Sequence, residues 1–418
     1  MQKKLKKVAT LGALGLLFLA PQIAGAADYT QEQLLQEFEY LKQKVQSQQE
    51  HIEQLQSVVN ETMDKKIDAK VEEKIAKGAG GKVTLGNKFI DQLDVLGDLR
   101  VRYERRDVDG GTARDRFRTR VRVGGVWKNK AESWEVGAGL ATGGNGGTST
   151  NDTWGESDIF ETGDIRLDYA YAKHRMNDFS FIAGQQKNPF VASWLIWDSD
   201  LRPTGFTGNY THDSGLFATA GAYALELINS DNTSMLYAGQ VGYANKIGDV
   251  KLKVAAGYQH YDSVFSSSNA PNPDYDFQIG DLYAQADFTF DKLTLSPYAQ
   301  VWMNFGADGN VSQAGNGLNP KDEDLGWLAG IDAKMGKFKL GYAYAVVGAD
   351  SIVAGLKDAD FGDGAGAGGV DVKGHRISAS YSLTKNMSAD FTAMLYESDA
   401  RSVDQKVDLY QFDINYKF

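Results

Sequence analysis

Five arginines occupy every second position of one short segment, and this spacing constrains the fold more than any other feature. The arginines in residues 114–127 alternate with a second set that is mostly apolar. The first set is Arg114, Arg116, Arg118, Arg120 and Arg122, and the second is Phe117, Thr119, Val121, Val123 and Trp127. Successive side chains of a β-strand point to opposite faces, so a strand separates the two sets, whereas a helix would mix them.

The same period of two recurs from about residue 93 to the end of the chain. In residues 163–174, Ile165, Leu167, Tyr169 and Tyr171 alternate with Asp164, Arg166, Asp168 and His174. In the last segment, Tyr410, Phe412, Ile414, Tyr416 and Phe418 alternate with Gln411, Asp413, Asn415 and Lys417. A soluble sandwich and a membrane barrel both give such alternation, so the local pattern leaves both open.

Three larger features favour the barrel. The segments are about 10–14 residues long, as tilted membrane strands require. Roughly sixteen of them can be counted, beginning near residues 93, 114, 131, 163, 178, 204, 215, 234, 250, 278, 292, 323, 338, 370, 387 and 405. Short turns alternate with long loops, the asymmetry of outer-membrane barrels. We therefore predict an all-β transmembrane barrel of about 16 antiparallel strands over residues 93–418.

Composition agrees with an exported barrel and excludes other classes. The mean hydropathy is −0.39, and no apolar run after residue 26 is long enough for a membrane-spanning helix. The formal net charge of −11 argues against a nucleic-acid partner. The chain has no cysteine, which excludes disulfides and thiolate metal sites. We predict no cofactor and no metal site.

The N-terminal residues predict an export signal followed by a helical segment. Residues 1–26 combine four lysines, an apolar stretch and small residues before Ala27, which is typical of a cleaved signal peptide. Residues 27–77 are predicted to form an α-helical coiled coil, and 78–92 a linker. Apolar residues recur there at steps of four and three: Leu34, Phe38, Leu41, Val45, Ile52, Leu55 and Val59, with Gln48 in the same seam. A single helix with so narrow an apolar stripe would be only marginally stable, so we favour a trimer over a monomeric or disordered stalk.

Residues 184–206, GQQKNPFVASWLIWDSDLRPTGF, carry a more specific signal. This stretch resembles a motif of the bacterial putative-porin family, and the predicted barrel and coiled coil are similar to the architecture of that family. Its members are trimeric sixteen-stranded outer-membrane porins with a periplasmic coiled coil. The resemblance implies that the third long loop folds inward and narrows the pore. In this chain that loop contains Trp194, Trp197, Asp198, Asp200 and Arg202. The alternative is a loop that folds over the rim or touches a neighbouring subunit.

A basic wall is the second candidate site. An arginine on the lipid face of a barrel costs about 2–4 kcal/mol at the midplane, so the arginine face must meet water. The wall consists of Arg100, Arg102, Arg116, Arg118, Arg120 and Arg122. The outermost arginines could instead be rim charges. Asp164, Arg166 and Asp168 are further candidates for the lumen. The acidic run Asp358 to Asp363 is interpreted as a solvated or lipopolysaccharide-facing loop rather than a calcium site.

These patterns predict a porin for passive diffusion of small hydrophilic solutes and ions. A channel selective for anions, phosphate or acidic sugars and a tether between outer membrane and cell wall stay open as alternatives. An enzyme is not predicted, because the histidines lack a neighbouring nucleophile motif. Expected partners are two further copies of the chain, outer-membrane lipid and lipopolysaccharide, and the barrel-assembly machinery through Phe418. An even strand number places the coiled coil in the periplasm, where it could contact the cell wall.

Overall fold

The computed structural model describes residues 82–83, 92–144, 147–160, 163–229, 232–262, 277–307, 312, 317–365, 369–399 and 405–418, and eight positions between 39 and 50. The chain divides into two units, residues 1–80 and 81–418. In the first unit the described positions are helical, and Lys42 pairs with Glu39 at 3.4 Å. The predicted signal peptide and the rest of the predicted coiled coil lie outside the described residues.

Sixteen antiparallel strands form the second unit in its described part. They are β1 Gln92–Val108, β2 Arg114–Asn129, β3 Trp134–Thr142, β4 Ile165–Met176, β5 Phe179–Gln185, β6 Thr204–Thr211, β7 Leu216–Asn229, β8 Asn232–Ile247, β9 Val250–Tyr261, β10 Gln278–Phe290, β11 Leu293–Asn304, β12 Leu325–Met335, β13 Phe338–Val347, β14 Val372–Ser382, β15 Met387–Ser398 and β16 Lys406–Lys417. Two-residue strands at Lys82–Val83 and Asp152–Thr153 pair with β1 and β2. Short 3-10 turns lie at Pro320–Asp322 and Ala354–Leu356.

The sheet closes on itself. Each strand pairs with its neighbour in sequence, and β16 pairs with β1, where Asp413 lies opposite Arg102. Phe418 and Gly97 exchange two backbone hydrogen bonds of 3.0 Å just beyond the end of β16. Closure removes the unpaired edges that an open sheet would leave. The predicted sixteen-stranded barrel is confirmed, and the predicted strand starts lie within three residues of the observed ones.

The two faces of the wall differ in polarity. On β2, Phe117 is 52% exposed and Val123 is also exposed, whereas Arg118 is only 8% exposed. On β16, Phe412 and Ile414 are exposed while Gln411 is buried. The exposed apolar face points outward and the arginine face points inward. Among the described residues, no helix is long and apolar enough to cross a membrane.

One strand departs from the predicted alternation. Gly139 of β3 pairs with Tyr169 and the next residue, Leu140, pairs with Leu167, so Asp168 is an extra residue in β4. A one-residue bulge reverses the face of every later side chain. A Cβ at Gly124, on the arginine face of β2, would lie 2.3 Å from the Tyr169 hydroxyl.

The bulge therefore reverses the side of the barrel wall that Tyr169, Tyr171 and His174 face. Tyr171 lies opposite Gly137 and donates a 2.9 Å hydrogen bond to Glu135 on the inner side. His174 stacks on Trp134 of the outer face, with ring centres 4.3 Å apart. The prediction that Tyr169 and Tyr171 face lipid and His174 faces the lumen is wrong, because strict alternation ended at Asp168.

Two long loops enter the barrel and pack against its inner wall. They connect β5 to β6 (residues 186–203) and β13 to β14 (described at residues 348–365 and 369–371), and we call them the first and second inner loops. Leu195 of the first loop and Phe361 of the second are fully buried in one apolar cluster with Tyr223 and Trp302 of the wall. The Trp302 indole N–H also donates to the Ser351 hydroxyl at 3.1 Å. Part of the interior is thus filled by loop side chains, and the rest stays open.

Candidate functional site

The inner faces of β1 and β2 form a ladder of charged pairs. Arg100 lies directly opposite Arg120, and Arg102 lies opposite Arg118. Further along, the register places Glu104 opposite Arg116, Arg106 opposite Arg114, and Asp98 opposite Arg122. Like charges that face each other across a strand pair are destabilising, so this ladder needs counterions.

Carboxylates of the wall supply part of that charge. Asp413 of β16 accepts two hydrogen bonds from Arg102, at 2.7 and 2.8 Å, in a bidentate pair. Asp98 contacts both Arg120, at 2.8 Å, and Arg122, at 2.7 Å.

Glu104 is the carboxylate most deeply enclosed by the ladder. It accepts from the Nε–H of Arg116 at 2.9 Å and lies 3.6 Å from Arg118. Its side chain is fully buried, and the Gln411 amide donates to its second oxygen at 3.1 Å. The arginine positions are therefore fixed by a hydrogen-bonded network rather than by isolated surface pairs.

The first inner loop adds an acidic residue to this network. Asp200 accepts hydrogen bonds from the backbone N–H and the hydroxyl of Thr150, at 3.1 and 2.9 Å. Its other oxygen lies 3.4 Å from Arg122. Burial acts to raise the pKa of Asp200, but the Thr150 hydrogen bond and the charges of Arg120 and Arg122 hold this pKa below its usual range. Asp200 is thus a stable negative charge beside the ladder.

The second inner loop supplies two more carboxylates. Asp360 lies 3.4 Å from Arg102 and accepts from the Gln411 amide at 2.8 Å. Asp363 pairs with Arg106 and, at 3.2 Å, with Arg114. The interpretation of this acidic run as a solvated or lipopolysaccharide-facing loop is wrong, because these carboxylates lie inside the barrel as counterions. The signal that could have revealed this was the surplus of arginine over acid on β1 and β2.

The two inner loops also contact each other. The backbone N–H of Asp198 donates to the Leu356 carbonyl at 2.7 Å, and that of Asp358 donates to the Trp194 carbonyl at 3.0 Å. Trp194 meets Phe361 edge-on, with ring centres 5.3 Å apart. Burial and the neighbouring Asp358 carboxylate raise the pKa of Asp198 to about 7.

The remaining predicted site residues are placed less centrally. Trp197 is buried against Phe190, with ring centres 6.4 Å apart. Arg202 pairs with Asp168 at 3.0 Å, and both side chains are buried. Arg166 donates to the Gly144 carbonyl at 2.7 Å, and Asp164 is exposed.

Part of the open interior is a cavity of about 930 Å³. It is lined on one side by the ladder and both inner loops. The far side is formed by strands β10 to β15, including Tyr283, Tyr298, Asp332, Arg376 and Asp390. Five predicted wall arginines line it, whereas Arg122 does not; of the predicted loop residues, Trp194, Asp198 and Asp200 line it. Because opposite walls share this cavity, it lies within the barrel.

No group of three or more histidine, aspartate or glutamate residues in the described ranges is arranged to hold a metal ion. Arg376 lies over the Trp194 ring at 5.4 Å, a cation–π contact that joins the far wall to the first inner loop. The arrangement presents paired charges of both signs to an open, polar space.

Comparisons with known proteins agree with this architecture. Two solved structures share the fold: OprB from Pseudomonas putida at high pH and OmpF from Salmonella typhi in complex with daunomycin. For OprB the TM-score is 0.55, with 13% identity over 78% of this chain and 94% of that chain. For OmpF it is 0.51, with 13% identity over 80% of this chain and 100% of that chain. No curated protein matches the chain.

A sequence family gives the more direct assignment. The family described as "Putative porin" matches residues 107–278 and 274–418, which together cover β2 to β16 and most of the chain. The matched region contains the second inner loop and most of the arginine ladder. This chain therefore belongs to the putative porin family.

Proposed function

We propose that the chain is an outer-membrane porin for passive diffusion of small hydrophilic solutes and ions. The family and the barrel support an outer-membrane channel. The observation that carries the finer proposal is the 930 Å³ cavity between opposite barrel walls, lined mainly by charged and hydroxyl-bearing side chains. Sixteen strands enclose enough space for an aqueous path, and passive transport needs no catalytic group.

The ladder and the inner loops would set the properties of this path. Arg100, Arg102, Arg116, Arg118, Arg120 and Arg122 form the proposed basic wall, with the first inner loop as the proposed constriction. Asp200 and Asp360 bring negative charge within 3.4 Å of arginines on this wall. Charges of both signs at a narrow point create a local field that orders water and favours polar solutes.

Assembly and location complete the proposal. We propose a homotrimer with the coiled coil of residues 27–77 in the periplasm, because its narrow apolar seam needs partner helices. The outer face, which exposes residues such as Phe206 and Val241, would contact lipid and lipopolysaccharide. The C-terminal Phe418 would be recognised by the barrel-assembly machinery. Contact with the cell wall would be an additional role of the coiled coil.

Bilayer recording and liposome swelling test this function. The refolded full chain should give stepwise, ohmic KCl conductance in planar bilayers. Liposomes that contain it should swell in neutral sugars at rates that fall steadily with sugar size. Absence of both conductance and swelling, with a barrel verified by its heat-dependent gel mobility, would refute the proposed function. A deletion of residues 30–77 tests the trimer, because we expect it to yield monomers in detergent.

A further inference from the structure

We propose that Arg100 is the centre of an oxyanion-binding subsite in the barrel, which binds the carboxylate or phosphate group of a solute. This proposal rests on the channel function proposed above and names the class of solute that the channel retains.

The charge balance leaves a positive surplus. In the described part of the chain, the ladder has eight arginines and only six carboxylates that lie within 4.0 Å of at least one of them. The arginines are Arg100, Arg102, Arg106, Arg114, Arg116, Arg118, Arg120 and Arg122, and the carboxylates are Asp98, Glu104, Asp200, Asp360, Asp363 and Asp413. The surplus of two charges lies in a partly desolvated space, where an unbalanced charge is costly.

Arg100 is where this surplus is concentrated. Seven ladder arginines each have a carboxylate within 4.0 Å, whereas the described residues place none that close to Arg100. Its guanidinium group donates instead to the neutral amide oxygen of Asn151. Arg120 lies directly opposite, and Arg102 is two residues further along the same face. An oxyanion there would offset part of this surplus and would lie near three guanidinium groups.

Donors without acceptors point to the same place. Among the described residues, the buried Nε–H groups of four ladder arginines have no hydrogen-bond acceptor: Arg100, Arg106, Arg114 and Arg118. Arg100 and Arg118 also donate to the neighbouring residues Asn151 and Ser149, respectively. Arg118 is held by the Ser149 hydroxyl at 3.2 Å and by the more distant Glu104 at 3.6 Å. Planar guanidinium groups bind carboxylate and phosphate oxygens through paired N–H donors. A small rotation of either side chain would direct a donor toward an oxyanion in the cavity.

The adjoining space suits a small solute that carries such a group. Arg100, Arg118 and Arg120 all line the 930 Å³ cavity, together with Ser149 and Asn151. Cavities of about 300–1,000 Å³ accommodate small organic ligands. The far side presents Tyr283 and Tyr298, whose rings and hydroxyl groups can contact the rest of a polar organic anion.

Current block in planar bilayers tests the subsite. Inorganic phosphate and succinate are added separately to the full-length channel in KCl at moderate salt, and the concentration that halves the chloride-carried current is measured. We expect concentration-dependent block in the wild type. In Arg100→Gln the half-blocking concentration should rise about tenfold, the size expected for loss of one charge-assisted hydrogen bond. For Arg100→Lys the half-blocking concentration should lie between the values for the wild type and Arg100→Gln.

The matched control is Arg105→Gln. Arg105 lies on the same strand but pairs with Asp107 at 2.9 Å on the exposed outer side, so its removal should leave block unchanged. Block by phosphate alone identifies free phosphate as the ligand, and block by succinate alone identifies organic acids. KCl conductance without block by either anion overturns the subsite but not the channel, as does equal block in Arg100→Gln. Loss of all conductance in the wild type overturns both.

Discussion

The carboxylate of Asp360 lies 3.4 Å from the guanidinium group of Arg102, although the two residues are 258 positions apart in sequence. This contact ties the second inner loop to β1, and Arg102 is itself held by Asp413 of β16. The position of the loop in the barrel thus depends on a charge pair at the strand seam where the barrel closes. Loop position and wall charge are coupled.

Neutralising Asp360 should loosen the second inner loop. In Asp360→Asn the loop loses its charge pair with Arg102, although Arg102 keeps Asp413. We expect loop docking to weaken by about 1 kcal/mol, the usual net contribution of one hydrogen bond, because the 3.4 Å contact is long. Single-channel recordings should show a larger mean conductance and more current noise. Asp107→Asn on the outer side of β1 is the control, and equal noise in both variants would contradict the coupling.

The packing of the first inner loop inside the barrel should depend on pH through Asp198. Docking raises the pKa of Asp198 from 3.8 to about 7, first through burial and then through the nearby Asp358 carboxylate. The docked loop therefore holds a proton that the undocked loop would lose. The stabilisation of the docked loop by protonated Asp198 is complete below about pH 3.8. It falls as the pH rises toward 7, and above pH 7 it no longer changes. Current noise should increase between pH 4 and 7.

Neighbouring charges define the window for this experiment. Burial raises the pKa of Asp358 as well, so Asp358 acts in the same direction as Asp198. Burial lowers the pKa of Lys357 to about 8, so Lys357 stays charged in both states below that pH. The Arg102 charge outweighs burial and lowers the pKa of Asp360, which weakens docking only in stronger acid. Asp198→Asn should reduce the rise in current noise between pH 4 and 7 to the part that Asp358 contributes, and an unchanged slope would contradict this assignment.

The C-terminal residue should govern assembly of the closed barrel. The ring of Phe418 covers Gly97, where a Cβ would lie 2.2 Å from the ring, and the two backbones exchange hydrogen bonds across the seam. Phe418→Ala should lower the yield of heat-modifiable barrel in outer membranes several-fold. Phe290→Ala, which also removes an exposed outer ring, is the control. Equal yields in both variants would show that the terminal ring has no special role.

The strands could be predicted because one local rule governs them. Outward side chains meet lipid and inward ones meet water. The polarity of Arg118 and of Phe117 is therefore enough to assign each side chain to its face of the wall, whatever its neighbours are. The rule failed at Asp168, where an inserted residue reversed Tyr171 and His174. A bulge depends on the pairing with Gly139 and Leu140, which a single strand does not contain.

The paths of the long loops could not be predicted in this way. Asp360 is acidic in a Gly-rich segment, a composition equally suited to an exposed loop. Its place inside the barrel follows from Arg102, which lies on a distant strand. The first inner loop was anticipated only because its Asn-Pro-Phe and Trp-Asp pattern resembles a known family. Long-range charge pairing, unlike strand period, is a property of the whole barrel.

Ion selectivity, measured with and without the central ladder charges, tests the account most directly. The reversal potential is recorded in a tenfold KCl gradient for the wild type, for the double variant Arg118→Gln and Arg120→Gln, and for Arg105→Gln. Perfect selectivity corresponds to about 59 mV in such a gradient, and we expect the double variant to shift by about 10 mV or more toward potassium. Arg105→Gln should not shift. Unchanged conductance and reversal potential in the double variant would show that these arginines do not face the conducting path.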